Sequence, residues 1–200
     1  MKLQDLFLSE GRYDQFNHKV VFMAGSPGSG KTTVRTKIFG TQIKVVDPDS
    51  LAQLMLRSQT QEQEQDFASH PLAKQAEKFR QSWLRQGLGM IIDGTGRNFE
   101  DYKLKRQQFL DYNYDTAMIL VHVPLDQAIA NVEKRQAQTG RQVDRDYLQH
   151  AWQQVQENRD RYKRLFGVTY WEVENAGNMA AANINQVGRQ VRRWLNQPVA

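Results

Sequence analysis

Gly25-Ser26-Pro27-Gly28-Ser29-Gly30-Lys31-Thr32-Thr33 fills every fixed position of the phosphate-binding pattern G-x-x-x-x-G-K-[ST]. The residue types follow from the chemistry. Gly25, Gly28 and Gly30 let the backbone turn tightly and bring successive N–H groups against phosphate oxygens, where a Cβ would intrude. Ser26, Pro27 and Ser29 complete the cradle. Lys31 reaches the β- and γ-phosphates as a mobile point charge, and the Thr32 hydroxyl is placed to ligate Mg2+. The flanks match the context such a loop requires. Lys19-Val20-Val21-Phe22-Met23-Ala24 before it is a short apolar run that reads as a buried strand. Residues 32–39 after it can form a helix, and a helix N-terminus favours an anion. Strand, loop and helix together predict a site for a nucleoside triphosphate.

Outward from this unit the chain alternates apolar runs with helical patterns. Further strands are expected at 43–47, 89–93, 116–123 and 168–173. Helices are expected after Asp49, through Leu51, Leu54 and Met55, and then from Pro71 to Gly87. Others are expected at about 99–112, after Pro124, at 146–166, and at 178–195. Strands that are continuous apolar runs separated by helices imply a parallel sheet covered on both faces. The expected fold is therefore α/β: a five-stranded, mostly parallel sheet with helices on both sides. Residues 1–18 read as an arm or short helix, and 19–200 as one domain with an arginine-bearing lid at about 134–146. In such sheets ligands sit at the carboxyl ends of the strands. That rule gathers the phosphate loop, Asp47 and Asp49, residues 93–97 and the segment after Val173 on one rim.

Composition narrows the classes without choosing among them. The chain has 200 residues, a formal net charge of +5 and no cysteine, which excludes disulfides and thiolate metal sites. A basic balance suits anionic substrates such as nucleotides or nucleic acid ends. No run approaches membrane-spanning length, and the opening residues have too short an apolar stretch for a signal peptide, so a cytoplasmic location is expected.

Several side chains on the expected rim are candidates for chemistry, each with a plainer alternative. Asp49 is placed to accept the proton of an acceptor hydroxyl, yet its position also suits a helix N-cap. Asp47, at the strand end, is expected on the metal side. Asp93 can face Mg2+ or cap a Gly-Thr-Gly turn. Arg97 offers a planar fork to an anionic acceptor, or is an exposed turn arginine. Arg135 and Arg141, with Asn131 and Arg145 nearby, can stabilise a phosphoryl group from a closing lid only if the helix breaks near Thr139. Otherwise they are solvated helix charge. His18, His70, His122 and His150 show no metal-ligand spacing, and Trp152, Tyr162 and Phe166 read as core.

The order of these motifs resembles the zeta-toxin-like kinases and the polynucleotide 5′-hydroxyl kinases, small phosphate-loop kinases of bacteria and phages. The likeness runs from about Val20 to Asn175 and rests on the phosphate loop, Asp47-Pro48-Asp49-Ser50, Asp93-Gly94-Thr95-Gly96-Arg97-Asn98 and Arg135…Gly140-Arg141. It implies that Lys31 and Thr32 hold ATP and Mg2+, that Asp49 is the base and that Arg97 binds the acceptor. Arg135 and Arg141 would act on the phosphates, and Asn175 falls where the adenine-contacting loop lies. It implies phosphorylation of a hydroxyl on a nucleotide sugar or a nucleic acid end, in a bacterial or phage-infected cell, and raises an inhibitory protein partner. Where the toxins carry a substrate-holding arginine after the catalytic turn, this chain has Leu51-Ala52-Gln53. A nucleoside monophosphate or small-metabolite kinase is the neighbouring alternative. An ATP-dependent nucleic-acid-binding module without turnover is the alternative of another class.

Overall fold

A computed structural model describes residues 16–41, 43–47, 71–140 and 143–199, with backbone alone for 71–74. The helix expected after Asp49 lies outside the described residues, as does nearly all of the expected N-terminal arm.

Five strands form one sheet in the order β2-β3-β1-β4-β5, every neighbouring pair parallel. They are β1 (Lys19–Ala24), β2 (Lys44–Val46), β3 (Met90–Asp93), β4 (Asp115–His122) and β5 (Tyr170–Glu174). Six α-helices are described: α1 (Lys31–Phe39), α2 (Pro71–Arg85), α3 (Phe99–Asp111), α4 (Leu125–Thr139), α5 (Arg145–Phe166) and α6 (Ala180–Leu195). Central β1 is buried along its whole length because both of its faces are covered. On one face Val21, Met23, Ile91 and Ile119 pack with Val34 and Ile38 of α1 and Ile184 and Val191 of α6. On the other, Phe22, Ile92 and Leu120 meet Ala76 of α2, Phe109 of α3 and Val155 of α5. Successive strand residues point to opposite faces, so two buried faces require unbroken apolar runs.

The fifth strand begins later than the sequence pattern predicts. Gly167–Thr169 form a 3-10 turn, and Val168 is 95% exposed. Thr169 explains the delay. Its hydroxyl donates to the Phe166 carbonyl at 2.8 Å and lies 2.9 Å from that of Thr116, tying the backbone into a turn against β4 before pairing begins. The last helix likewise starts at Ala180 rather than 178. As expected, Tyr162 and Phe166 are core residues, whereas Trp152 is partly buried and donates from its indole to the Val123 carbonyl at 2.9 Å.

Candidate active site

The phosphate loop leaves the end of β1 and enters the first turn of α1. Gly28 and Gly30 hold φ of +79° and +82°, which L side chains rarely adopt. Space excludes a side chain as well. A Cβ on Gly28 would strike the Ala128 carbonyl of α4, one on Gly30 would strike the Asn175 amide, and one on Gly25 would sit 2.6 Å from the Val121 carbonyl. Three elements therefore grip the loop from outside. Two asparagines complete the grip: Asn131 of α4 donates to the Gly28 carbonyl at 2.8 Å, and Asn175, after β5, donates to the Ser29 carbonyl at 2.9 Å. These bonds, with those of the Gly25 N–H to the Thr95 carbonyl and the Ser29 N–H to the Ser26 carbonyl, hold the loop in its curved shape.

Lys31 lies folded across the cradle, donating from Nζ to the Gly25 carbonyl at 2.6 Å and the Ser26 carbonyl at 3.4 Å. The Ser29 hydroxyl is fully buried and has no hydrogen-bond partner among the described residues. A glycine-lined cradle, an orphaned hydroxyl, an ammonium and a helix N-terminus form a donor set that fits a triphosphate.

Beside the loop stand two carboxylates. The register Val46↔Ile92 puts Asp47 and Asp93 next to each other one residue on, both on the α1 face of the sheet. Arg35, one turn beyond Thr32, reaches between them: Nη1 lies 2.6 Å from Asp93 Oδ2 and 3.5 Å from Asp47 Oδ2. Only 5% of the Asp93 side chain is exposed, and adjacent anions withdrawn from water require a cation. The hard oxygens of Thr32, Asp47 and Asp93 suit Mg2+ by type. No group of three His, Asp or Glu residues arranged for a metal occurs among the described residues. Arg35 went unnoticed in the sequence, where its three-residue spacing from Thr32 on one helix was the available signal. Asp49 lies outside the described residues.

The turn after Asp93 is stitched directly to the phosphate loop. Gly25 donates its N–H to the Thr95 carbonyl at 3.0 Å, and Gly94 donates to that of Met23 at 3.2 Å. From the far side the Tyr162 hydroxyl donates to the Gly96 carbonyl at 2.8 Å, and Asn158 donates to that of Arg97, also at 2.8 Å. Burial pushes the Tyr162 phenol well above its ordinary range, so it stays a donor. Arg97 lies over the Tyr147 ring, 5.2 Å from its centre. It borders an open polar groove of about 480 Å³ lined also by Asn98, His150, Gln154 and Arg161. The stretch 93–98 is thus a rigid shelf beside the cradle.

Arg135 follows Asn131 by one turn and shares the helix face that holds the loop. Helix α4 ends at Thr139, with Gly140 as its C-terminal cap, which is the break the expected lid requires. Arg141 lies outside the described residues. Asn175 is held by its N–H to the His122 carbonyl at 2.9 Å. The His122 ring, half-buried, meets Gln156 at 3.0 Å through Nδ1. Burial, then the Arg159 charge, holds its pKa below 6.5, against smaller opposing effects of Glu174 and Glu172.

A family profile for the AAA domain matches residues 20–162, the stretch from β1 into α5. This chain belongs to that family. The AAA domain here has a P-loop kinase-like fold. It is similar to a candidate kinase from Chloroflexus aurantiacus, with TM-score 0.66 and 16% identity over 88% of this chain and 97% of that one. It also resembles a chain of the PezAT chromosomal toxin–antitoxin system of Streptococcus pneumoniae, with TM-score 0.55, 16% identity and coverage of 96% and 93%. A chain of the Pnkp1/Rnl/Hen1 RNA repair complex matches with TM-score 0.59 and 21% identity over 72% of this chain, but this chain spans only 46% of that one. Likeness at these identities is likeness of fold, and it accords with the zeta-toxin and polynucleotide-kinase resemblance carried by the motifs. No curated protein matches the chain in sequence. No described helix is long and apolar enough to cross a membrane.

Proposed function

We propose that this chain is an ATP- and Mg2+-dependent kinase that transfers the γ-phosphoryl group to a hydroxyl of a nucleotide-related substrate, a nucleotide sugar or a nucleic acid end. One observation carries the reading. The phosphate loop and the Asp93–Arg97 shelf are joined by direct backbone hydrogen bonds at the carboxyl edge of the sheet, so a triphosphate and an acceptor would meet on one rim.

Bound ATP would supply the phosphoryl group, and Mg2+ would neutralise its charge. The protein supplies the rest. Gly25 to Thr33 cradle the phosphates, and Lys31 swings from the Gly25 carbonyl to the phosphate oxygens. Thr32, with Asp47 and Asp93, provides the metal-side oxygens. Asp49 accepts the proton of the attacking hydroxyl, and Arg97 holds the acceptor's anionic part. Arg135 and Arg141 close on the charge that spreads over the phosphoryl oxygens in the transition state and exclude water. Asn175 fixes the loop from the side where the base would lie. The likeness to a chain from a toxin–antitoxin system supports a protein partner that holds the enzyme off, and the reading places the enzyme in the cytoplasm.

The test incubates the protein with Mg2+ and γ-labelled ATP against nucleotide sugars, nucleosides, nucleoside monophosphates, gluconate and 5′-hydroxyl oligonucleotides. Label on a nucleotide sugar or oligonucleotide, lost by on the order of 10²-fold or more in Asp49→Ala with ATP binding intact, supports the reading. Label confined to a monophosphate or to gluconate favours the small-metabolite alternative, in line with the fold shared with a gluconokinase from Sinorhizobium meliloti, TM-score 0.51. Salt-dependent nucleic acid binding without transfer favours the binding module.

A further inference from the structure

We propose that Arg35 is a resident counter-cation for the Asp47–Asp93 pair, positioning both carboxylates and keeping a divalent metal from loading between them before nucleotide arrives. The inference rests on the reading of these two acids as the metal side of the site.

The geometry is specific. Parallel pairing of β2 with β3 forces the two acids side by side on one face, whatever their charge prefers. A single guanidinium nitrogen, Nη1, lies within salt-bridge distance of an oxygen from each. All three side chains are mostly withdrawn from water, with 15%, 14% and 5% exposure for Arg35, Asp47 and Asp93. Two adjacent carboxylates of low exposure are also a donor pair that a hard divalent cation takes. In this molecule the guanidinium stands where such a cation would bring its charge. Unlike a metal, it is tethered: Arg35 shares α1 with Thr32, so the cation holding the acids is fixed to the helix that begins at the phosphate loop.

Two consequences follow. The acids are held in register with the loop while the site is empty. A metal arriving alone must compete with a positive charge and finds little net attraction, whereas a metal carried by a triphosphate arrives with compensating negative charge and with Thr32 as a further ligand. Arg35 acts through Asp47 and Asp93 and is a positioning residue, not a catalytic one.

The experiment needs neither nucleotide nor acceptor, so its result is independent of whether the chain is a kinase. Thermal unfolding of the full chain is followed in EDTA and in millimolar Mg2+ or Ca2+ at matched ionic strength, for wild type, Arg35→Met and Arg35→Met/Asp93→Asn. The wild-type midpoint should be indifferent to metal. Arg35→Met should unfold several degrees lower in EDTA, recover with either metal, and lose that recovery when Asp93→Asn is added. Mn2+ binding read by paramagnetic resonance should strengthen by on the order of tenfold in Arg35→Met. A role limited to packing would lower the midpoint without any metal dependence. The inference is overturned if Arg35→Met gains no metal response, or if wild type already responds equally. Should Arg35→Met not fold, Arg35→Gln decides by the same Mn2+ measurement. Its amide can still donate to a carboxylate but carries no charge, so its affinity should exceed that of wild type, and equal affinities overturn the inference.

Discussion

Removing the two amide tethers of the phosphate loop should weaken nucleotide binding in a way that no change in the cradle's own residues explains. Asn131 and Asn175 approach from α4 and from the segment after β5, and donate to the consecutive carbonyls of Gly28 and Ser29 at 2.8 and 2.9 Å. A neutral hydrogen bond of this kind contributes about 0.5–1.5 kcal/mol net. If the tethers serve to hold the loop in its binding shape, each alanine substitution should raise the dissociation constant for Mg2+-ATP by about 2- to 10-fold. The pair together should fall short of the product of the two, at most about 100-fold. Neighbouring carbonyls share one backbone, so the effects should couple: once one tether is gone, the other holds a looser loop and is worth less. Titration calorimetry on both single variants and the double variant reads this directly. Asn183→Ala is the control, because that side chain accepts from the Glu174 N–H at 2.9 Å, near Asn175, without reaching the loop. Unaltered nucleotide affinity in the double variant would refute the reasoning. So would an equal loss in the control, which would mean that general loosening near β5 is responsible.

Two further outcomes are expected. Gly28→Ala imposes a φ near +79° on an L residue and drives its Cβ into the backbone carbonyl of Ala128. Left-handed strain of about 1–2 kcal/mol plus about 1–3 kcal/mol of overpacking should lower the unfolding free energy in urea. Because the struck atom is backbone, adding Ala128→Gly should give no relief; recovery in that double variant would contradict the assignment. For pH, His122 binds its proton less readily in the folded than in the unfolded chain, its pKa being held below 6.5 by burial and Arg159. The unfolded chain therefore takes up more protons as pH falls through 6.5, and His122's share of stability is lost between there and its folded pKa. His122→Gln should flatten that limb of the unfolding-midpoint profile between pH 7.5 and 5. Parallel profiles would show that another group sets it.

The strand–loop–helix unit and the α/β class were legible because their causes are local. A buried parallel strand must be continuously apolar, as Lys19–Ala24 nearly is, and a phosphate cradle must be built of glycines, as 25–30 is. The end of α4 was legible for the same reason, since Gly140 marks it in the sequence itself. The start of β5 was misplaced because Val168 has the side chain of a strand residue, and nothing local reveals that Thr169 will bond to Thr116 of another strand.

What the sequence by itself determined, then, is the cradle and the alternation of buried strands with helices, both products of short-range sterics and periodicity. Only the tertiary structure decided that Asp47 and Asp93 stand side by side with Arg35 between them. The same holds for Asn131 and Asn175, which grip a loop 103 and 146 residues away in the chain. Those pairings depend on strand order and register, which arise when the whole sheet closes over its two cores and leave no trace in the spacing of the residues they join.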